Sequence, residues 1–191
     1  MSGRVLALDP GLRNPAIAFG QGNILFHASR VRVPGKIADI EDYGERVAAI
    51  TDLVLARACV VAGSLDFDVV VYERPQVYRT GKSKGDPNDL IPLAMLGGSV
   101  AGAIRRASST PVLVRAPTPA MWINGTPKAT TGPAWASPRG QFIRRRLSEI
   151  EALQVVESHD AIDAAGLFLY HAVDAAGNSR MMRRRVLPGA T

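Results

Sequence analysis

Apolar and polar positions along this chain come in blocks, and the period changes from block to block. Val5, Leu6, Ala7 and Leu8 form an apolar run that ends at Asp9; Pro10-Gly11 turns the chain, and Pro15 to Phe19 resume the run. This predicts two strands joined by a turn, with a carboxylate held at the rim of a sheet. A third strand is predicted over 23–33, where Val31 and Val33 alternate with Arg30 and Arg32. Three strands in quick succession make an antiparallel meander. His27, inside the third, reads as a strand histidine, with no partner at ligand spacing. From Asp39 to about Ala62 the period lengthens, and Ile40, Tyr43, Val47, Ile50 and Val54 recur at three- and four-residue steps, the stripe of an amphipathic helix. Asp68-Val69-Val70-Val71-Tyr72-Glu73 is then a continuous β-branched run, as in strands covered on both faces. It stops at Arg74-Pro75 because proline cannot extend a central strand. A second carboxylate, Glu73, therefore ends a second buried strand.

Between Arg74 and Asp89 the hydrophobic run gives way to Arg74, Tyr78, Arg79, Lys82 and Lys84 among Gly, Ser, Pro and Asn. An exposed basic loop of this kind can hold phosphates through its cations while Tyr78 stacks on a base. A helix from about Leu90 to Ala107 carries Leu93, Leu96, Val100 and Ile104 on one side and a small-residue surface from Gly97 to Ala103. A fifth strand, Pro111 to Ala116, leads to Thr118-Pro119, which has the cap and first-turn chemistry of a short helix. A loop containing Lys128 runs to Ser137-Pro138, a second cap-and-proline start, and the helix after it carries Arg139, Arg144, Arg145 and Arg146. The last helix, Ser158 to Val173, holds His159, Asp160 and Asp163. Asp160 lies in the first turn, where the helix dipole favours an anion, but Asp163 has no such compensation. Three residues apart they share one side of the helix, and their mutual repulsion calls for a cation. Ala161, Ala164, Ala165 and Gly166 are small enough to let the helix press on a sheet.

Composition narrows the class. A chain of 191 residues, 47% hydrophobic, has material for one sizeable core, expected over 1–177, with 178–191, including Arg183-Arg184-Arg185, as a basic flexible tail. No membrane-length apolar run and no signal-peptide pattern occur, so a cytoplasmic protein without a membrane partner is expected. The single cysteine, Cys59, excludes a disulfide framework and a zinc cluster, and its helical, alanine-rich setting points to a buried thiol. The net charge of +6 leans toward a polyanionic partner such as nucleic acid.

Three strands in a meander, then helix, strand, helix, strand and a closing helix, is the element order of the ribonuclease H-like fold. The Asp9-Pro10-Gly11 turn, the strand ending at Glu73 and the Asp160-x-x-Asp163-Ala164 run together resemble the acidic set of RuvC-type Holliday junction resolvases. That resemblance implies an α/β fold with a five-stranded mixed sheet, antiparallel in strands one to three and parallel in four and five, with helices on both faces. It also implies a homodimeric, DNA-associated endonuclease that resolves four-way junctions by paired symmetric nicks. In that family the four acids hold two Mg²⁺ ions, with Mn²⁺ as a substitute, and they carry over to Asp9, Glu73, Asp160 and Asp163. His159 is a candidate proton-transfer group beside them. DNA contacts are expected at Arg74, Tyr78, Arg79, Lys82, Lys84, Lys128, Arg139, Arg144 and Arg145. The chain also departs from the family. Thr118 to Asn124 holds no lysine, the loop to Pro138 is longer, Arg139 stands where a lysine is expected, and Tyr78 lies farther from Glu73. These departures imply a divergent, phage-type member that accepts forks and flaps besides four-way junctions. Two rivals share the fold: a phosphate-binding actin-like or sugar-kinase-like ATPase domain, and a branched-DNA-binding relative without catalysis.

Overall fold

The alternating and continuous apolar runs become five strands of one sheet: β1 (Arg4–Asp9), β2 (Ala16–Gln21), β3 (Ile24–Arg30), β4 (Val69–Tyr72) and β5 (Leu113–Arg115). The computed structural model describes residues 3–22, 24–75, 90–122, 136–146 and 158–185. The sheet runs in the order β3-β2-β1-β4-β5. The pairs β1–β2 and β2–β3 are antiparallel, and β1–β4 and β4–β5 are parallel, as the element order predicts.

Six helices are described: α1 (Gly35–Ala38), α2 (Tyr43–Ala62), α3 (Leu90–Ala107), α4 (Pro119–Trp122), α5 (Pro138–Arg146) and α6 (His159–Arg185). Three helices start where their capping chemistry places them. Asp42 accepts a hydrogen bond from the Glu45 N–H at 2.8 Å and opens α2 at Tyr43, so the helix expected from Asp39 starts later, and the short α1 over Gly35–Ala38 precedes it. Ser137 and Ser158 accept from the N–H groups of Gly140 and Ala161 at 3.0 and 3.1 Å, opening α5 and α6. The backbone of α6 continues through Arg185, farther than the apolar pattern suggests, so the segment expected as a tail from 178 is helical as far as 185. Met and Arg are good helix formers, and cations in a last turn suit the helix dipole. Among the described residues no helix is long and apolar enough to cross a membrane.

Each face of the sheet has its own core. On one, Leu6, Leu8, Ile17, Phe19 and Val70 pack with Val47, Ile50 and Val54 of α2 and Leu96, Val100 and Ile104 of α3. On the other, Val5, Ala7, Ala16, Ala18, Val69 and Val71 pack with Ala161, Ile162, Ala164, Ala165 and Phe168 of α6, with Trp122 and Ile143 completing that layer. Small residues on both sides bring α6 close to the strands; at Gly20 a Cβ would lie 2.6 Å from the Phe168 ring. Cys59 is exposed, against the expectation of a buried thiol, because it falls one position off the α2 stripe that ends at buried Ala58.

Candidate functional site

Strand period and register decide where the first two acids go. In β1, Val5 and Ala7 face α6 while Leu6 and Leu8 face the α2–α3 layer, so the two-residue period turns Asp9 to the α6 side. In β4, Val69 and Val71 face α6, and Glu73 follows the same alternation one residue past the strand. Leu8 pairs with Tyr72 in the parallel register, and the Glu73 N–H donates to the Leu8 carbonyl at 3.2 Å. Asp9 and Glu73 therefore stand side by side at the ends of adjacent parallel strands, about 4.8 Å apart in backbone spacing. Both are half-buried. A parallel sheet collects chemistry in this place, beyond the carboxyl ends of its strands.

The second pair comes from the helix that covers that face. Asp160 is half-buried in the first turn of α6, and Asp163, one turn on, is buried at 5% exposure. Its charge is met by Arg139 of α5, whose Nη1 donates to Asp163 Oδ1 at 2.5 Å with both side chains buried. The Arg139 guanidinium also lies over the Trp122 ring, 5.4 Å from its centroid. Trp122 Nε1 in turn donates to Glu73 Oε2 at 3.0 Å. The ring has room because residue 166 is glycine: a Cβ there would sit 2.7 Å from Trp122 Cζ3. Gly166 thus makes space for Trp122, where the sequence had suggested it brings the helix to the sheet. Glu73, Trp122, Arg139 and Asp163 form a connected line from the end of β4 to the second turn of α6.

Four carboxylates supply the hard oxygen donors that magnesium takes. Among the described residues, however, no three His, Cys, Asp or Glu side chains are gathered as a metal group. The donor chemistry fits such an ion, while at Asp163 the balancing charge is a guanidinium.

Solved structures share this architecture. The chain is similar to Thermus thermophilus RuvC at 22% identity and a TM-score of 0.56, covering 92% of this chain and 96% of that one. T. thermophilus RuvC in complex with Holliday junction substrate gives 20% identity and a TM-score of 0.57, with 91% and 94% covered. The yeast mitochondrial Holliday junction resolvase Ydc2 gives 16% and 0.50, with 97% and 85% covered. The fold is the RuvC fold. No family model and no curated protein matches the sequence.

On this RuvC fold the remaining expected contacts fall in three classes. Arg74, beside Glu73, and Arg144 and Arg145 on α5 are exposed. Arg139, expected to meet phosphate, is 7% exposed and held by Asp163, so it must leave that carboxylate to reach DNA. Tyr78, Arg79, Lys82, Lys84 and Lys128 lie outside the described residues. His159, beside Asp160, is half-buried. No sequence signal marks Trp122, since it sits in a helix of four residues without periodicity and its partner Glu73 is 49 positions away.

Away from these acids, His27 of β3 is buried, with Nε2 2.7 Å from Ser29 Oγ and 3.4 Å from the Arg57 guanidinium of α2. Burial, with the Arg57 charge second, holds its pKa below the ordinary histidine value. It is a structural histidine that ties α2 to the edge strand.

Proposed function

We propose that this protein is a divalent-metal-dependent endodeoxyribonuclease that resolves four-way DNA junctions by paired nicks, with Asp9, Glu73, Asp160 and Asp163 as its metal ligands. One observation carries the reading. Asp9 and Glu73 end adjacent parallel strands on the face covered by the helix that bears Asp160 and Asp163, in a fold shared over nearly the whole chain with a RuvC solved on a Holliday junction. Asp9, Glu73, Asp160 and Asp163 would hold Mg²⁺ or Mn²⁺, which when bound would supply an activated water and stabilise the charge that develops on the phosphodiester.

The chain's own residues do the rest. Trp122 fixes the Glu73 carboxylate by its Nε1–H bond, and exposed Arg74, Arg144 and Arg145 meet the phosphate backbone. Paired nicks need two copies. On α3, Ile91 and Met95 are exposed, 56% and 41%, above Gly98, and this apolar strip is the surface offered to a second subunit. The buried Arg139–Asp163 pair favours a second reading, a junction-binding protein without cleavage, because it leaves Asp163 already neutralised.

A nicking assay separates the two. With Mg²⁺ and a labelled four-way junction, the protein cuts two strands symmetrically, and Asp9→Asn lowers the rate by about a thousandfold or more while junction binding persists. Binding by the wild-type chain without any cleavage establishes the second reading instead.

A further inference from the structure

We propose that Arg139 is the resident counter-cation of the acid site: its guanidinium neutralises Asp163 in the ion-free protein, and a divalent cation gains Asp163 only by displacing it. The inference rests on the reading of Asp163 as a metal ligand, and it assigns to Arg139 a positioning role coupled to DNA.

A buried carboxylate without a counter-charge is strongly unfavourable, and Asp163 at 5% exposure has its charge met by Arg139 Nη1 at 2.5 Å. The guanidinium is not loosely placed. It projects from the first turn of α5, whose start is capped by Ser137, and it lies on the Trp122 ring, which fills the space left by Gly166. Trp122 carries the arrangement on to Glu73, so the two acids are spanned by two side chains that hold both in place, with the Asp163 charge met by Arg139.

A magnesium ion takes a carboxylate oxygen at about 2.0–2.1 Å. A divalent ion and a guanidinium on the same buried carboxylate would be like charges a few ångströms apart, where little water screens them. The two cations are therefore alternatives at Asp163.

The displaced guanidinium needs a new acceptor, and a phosphate diester offers one with matching geometry. Arg144 and Arg145 are exposed on the same helix. Junction binding draws Arg139 off Asp163 and metal binding pushes it, so each ligand raises the affinity for the other by the same factor. The device keeps the acid site unloaded until DNA arrives.

The test measures Mn²⁺ binding to the full chain by electron paramagnetic resonance, without DNA and without reference to cleavage. Arg139→Gln binds Mn²⁺ about tenfold tighter than the wild type, and Arg139→Lys, which keeps the charge, stays near the wild type. Mn²⁺ also raises the melting temperature of Arg139→Gln more than that of the wild type, since it replaces a missing neutralising charge. Equal or weaker binding by Arg139→Gln overturns the proposal. Should that variant fail to fold, a crystal of the wild type bound to junction DNA and soaked in MnCl₂ decides: the proposal expects an ion on Asp163 with Arg139 moved onto a phosphate, and an ion there with Arg139 still bonded to Asp163 overturns it. Failure of the wild type to bind Mn²⁺ even with junction DNA present overturns the metal-site reading and this inference together, a result distinct from loss of the Arg139 effect alone.

Discussion

The two faces of the sheet differ in what they are made of and in what they leave at their ends. Against α2 and α3 the sheet presents Leu6, Leu8, Ile17, Phe19 and Val70, large side chains that fill a thick apolar layer. Against α6 it presents Ala7, Ala16, Ala18 and Gly20 between valines, and α6 answers with Ala161, Ala164 and Ala165. Large residues hold a helix away from the strands, and small ones bring it in. The helix on the second face also carries Asp160 and Asp163, over the face to which Asp9 and Glu73 turn. The apolar face stabilises the fold; on the function proposed above, the small-residue face positions the chemistry.

Neighbouring residues on opposite faces give the sharpest way to break this contrast. Asp9→Asn lowers nicking by about a thousandfold or more, as described above, with the melting temperature within a few degrees of the wild type. Leu8→Ala, fully buried on the other face, costs about 2–5 kcal/mol in denaturant unfolding. The folded fraction of Leu8→Ala still cuts at close to the wild-type rate, and a comparable loss of cutting by both variants would erase the distinction.

Two glycines offer a smaller, matched comparison. A Cβ at Gly97 of α3 would lie 2.4 Å from the Tyr72 ring, and one at Gly166 of α6 would lie 2.7 Å from Trp122. Each alanine variant costs about 1–3 kcal/mol through overpacking, measured by urea unfolding. Gly166→Ala also reduces nicking, because shifted Trp122 releases Glu73, while Gly97→Ala leaves the rate per folded molecule unchanged. If the two lose activity alike, Trp122 has no special tie to the site.

The smallest effect is a pH dependence on the apolar face. The folded-state pKa of His27 is lowered from 6.5, so the unfolded chain takes up its proton first as pH falls. The stability contributed by neutral His27 is fully present above about pH 6.5 and declines as pH drops below that toward the folded pKa. His27→Gln flattens this part of the profile in melting experiments, and an unchanged slope would assign the acid sensitivity elsewhere.

What the sequence by itself determined is whatever depends on neighbours in the chain. The strand periods around Asp9 and Glu73, the α2 stripe and the capping serines at 137 and 158 are local, and each element stands close to where its pattern predicts. The order of those elements specified the antiparallel meander, and its resemblance to the ribonuclease H-like order implied the mixed pairing. Local signals also misled where one position decides the face, as at Cys59, and where a glycine has two possible neighbours, as at Gly166.

Tertiary structure alone decided how the acids are held. Trp122 reaches Glu73 across 49 residues and Arg139 reaches Asp163 across 24, and no periodicity encodes such pairs. A sequence shows that a buried carboxylate needs a counter-charge, but the cation that answers it is chosen by distance in the folded chain.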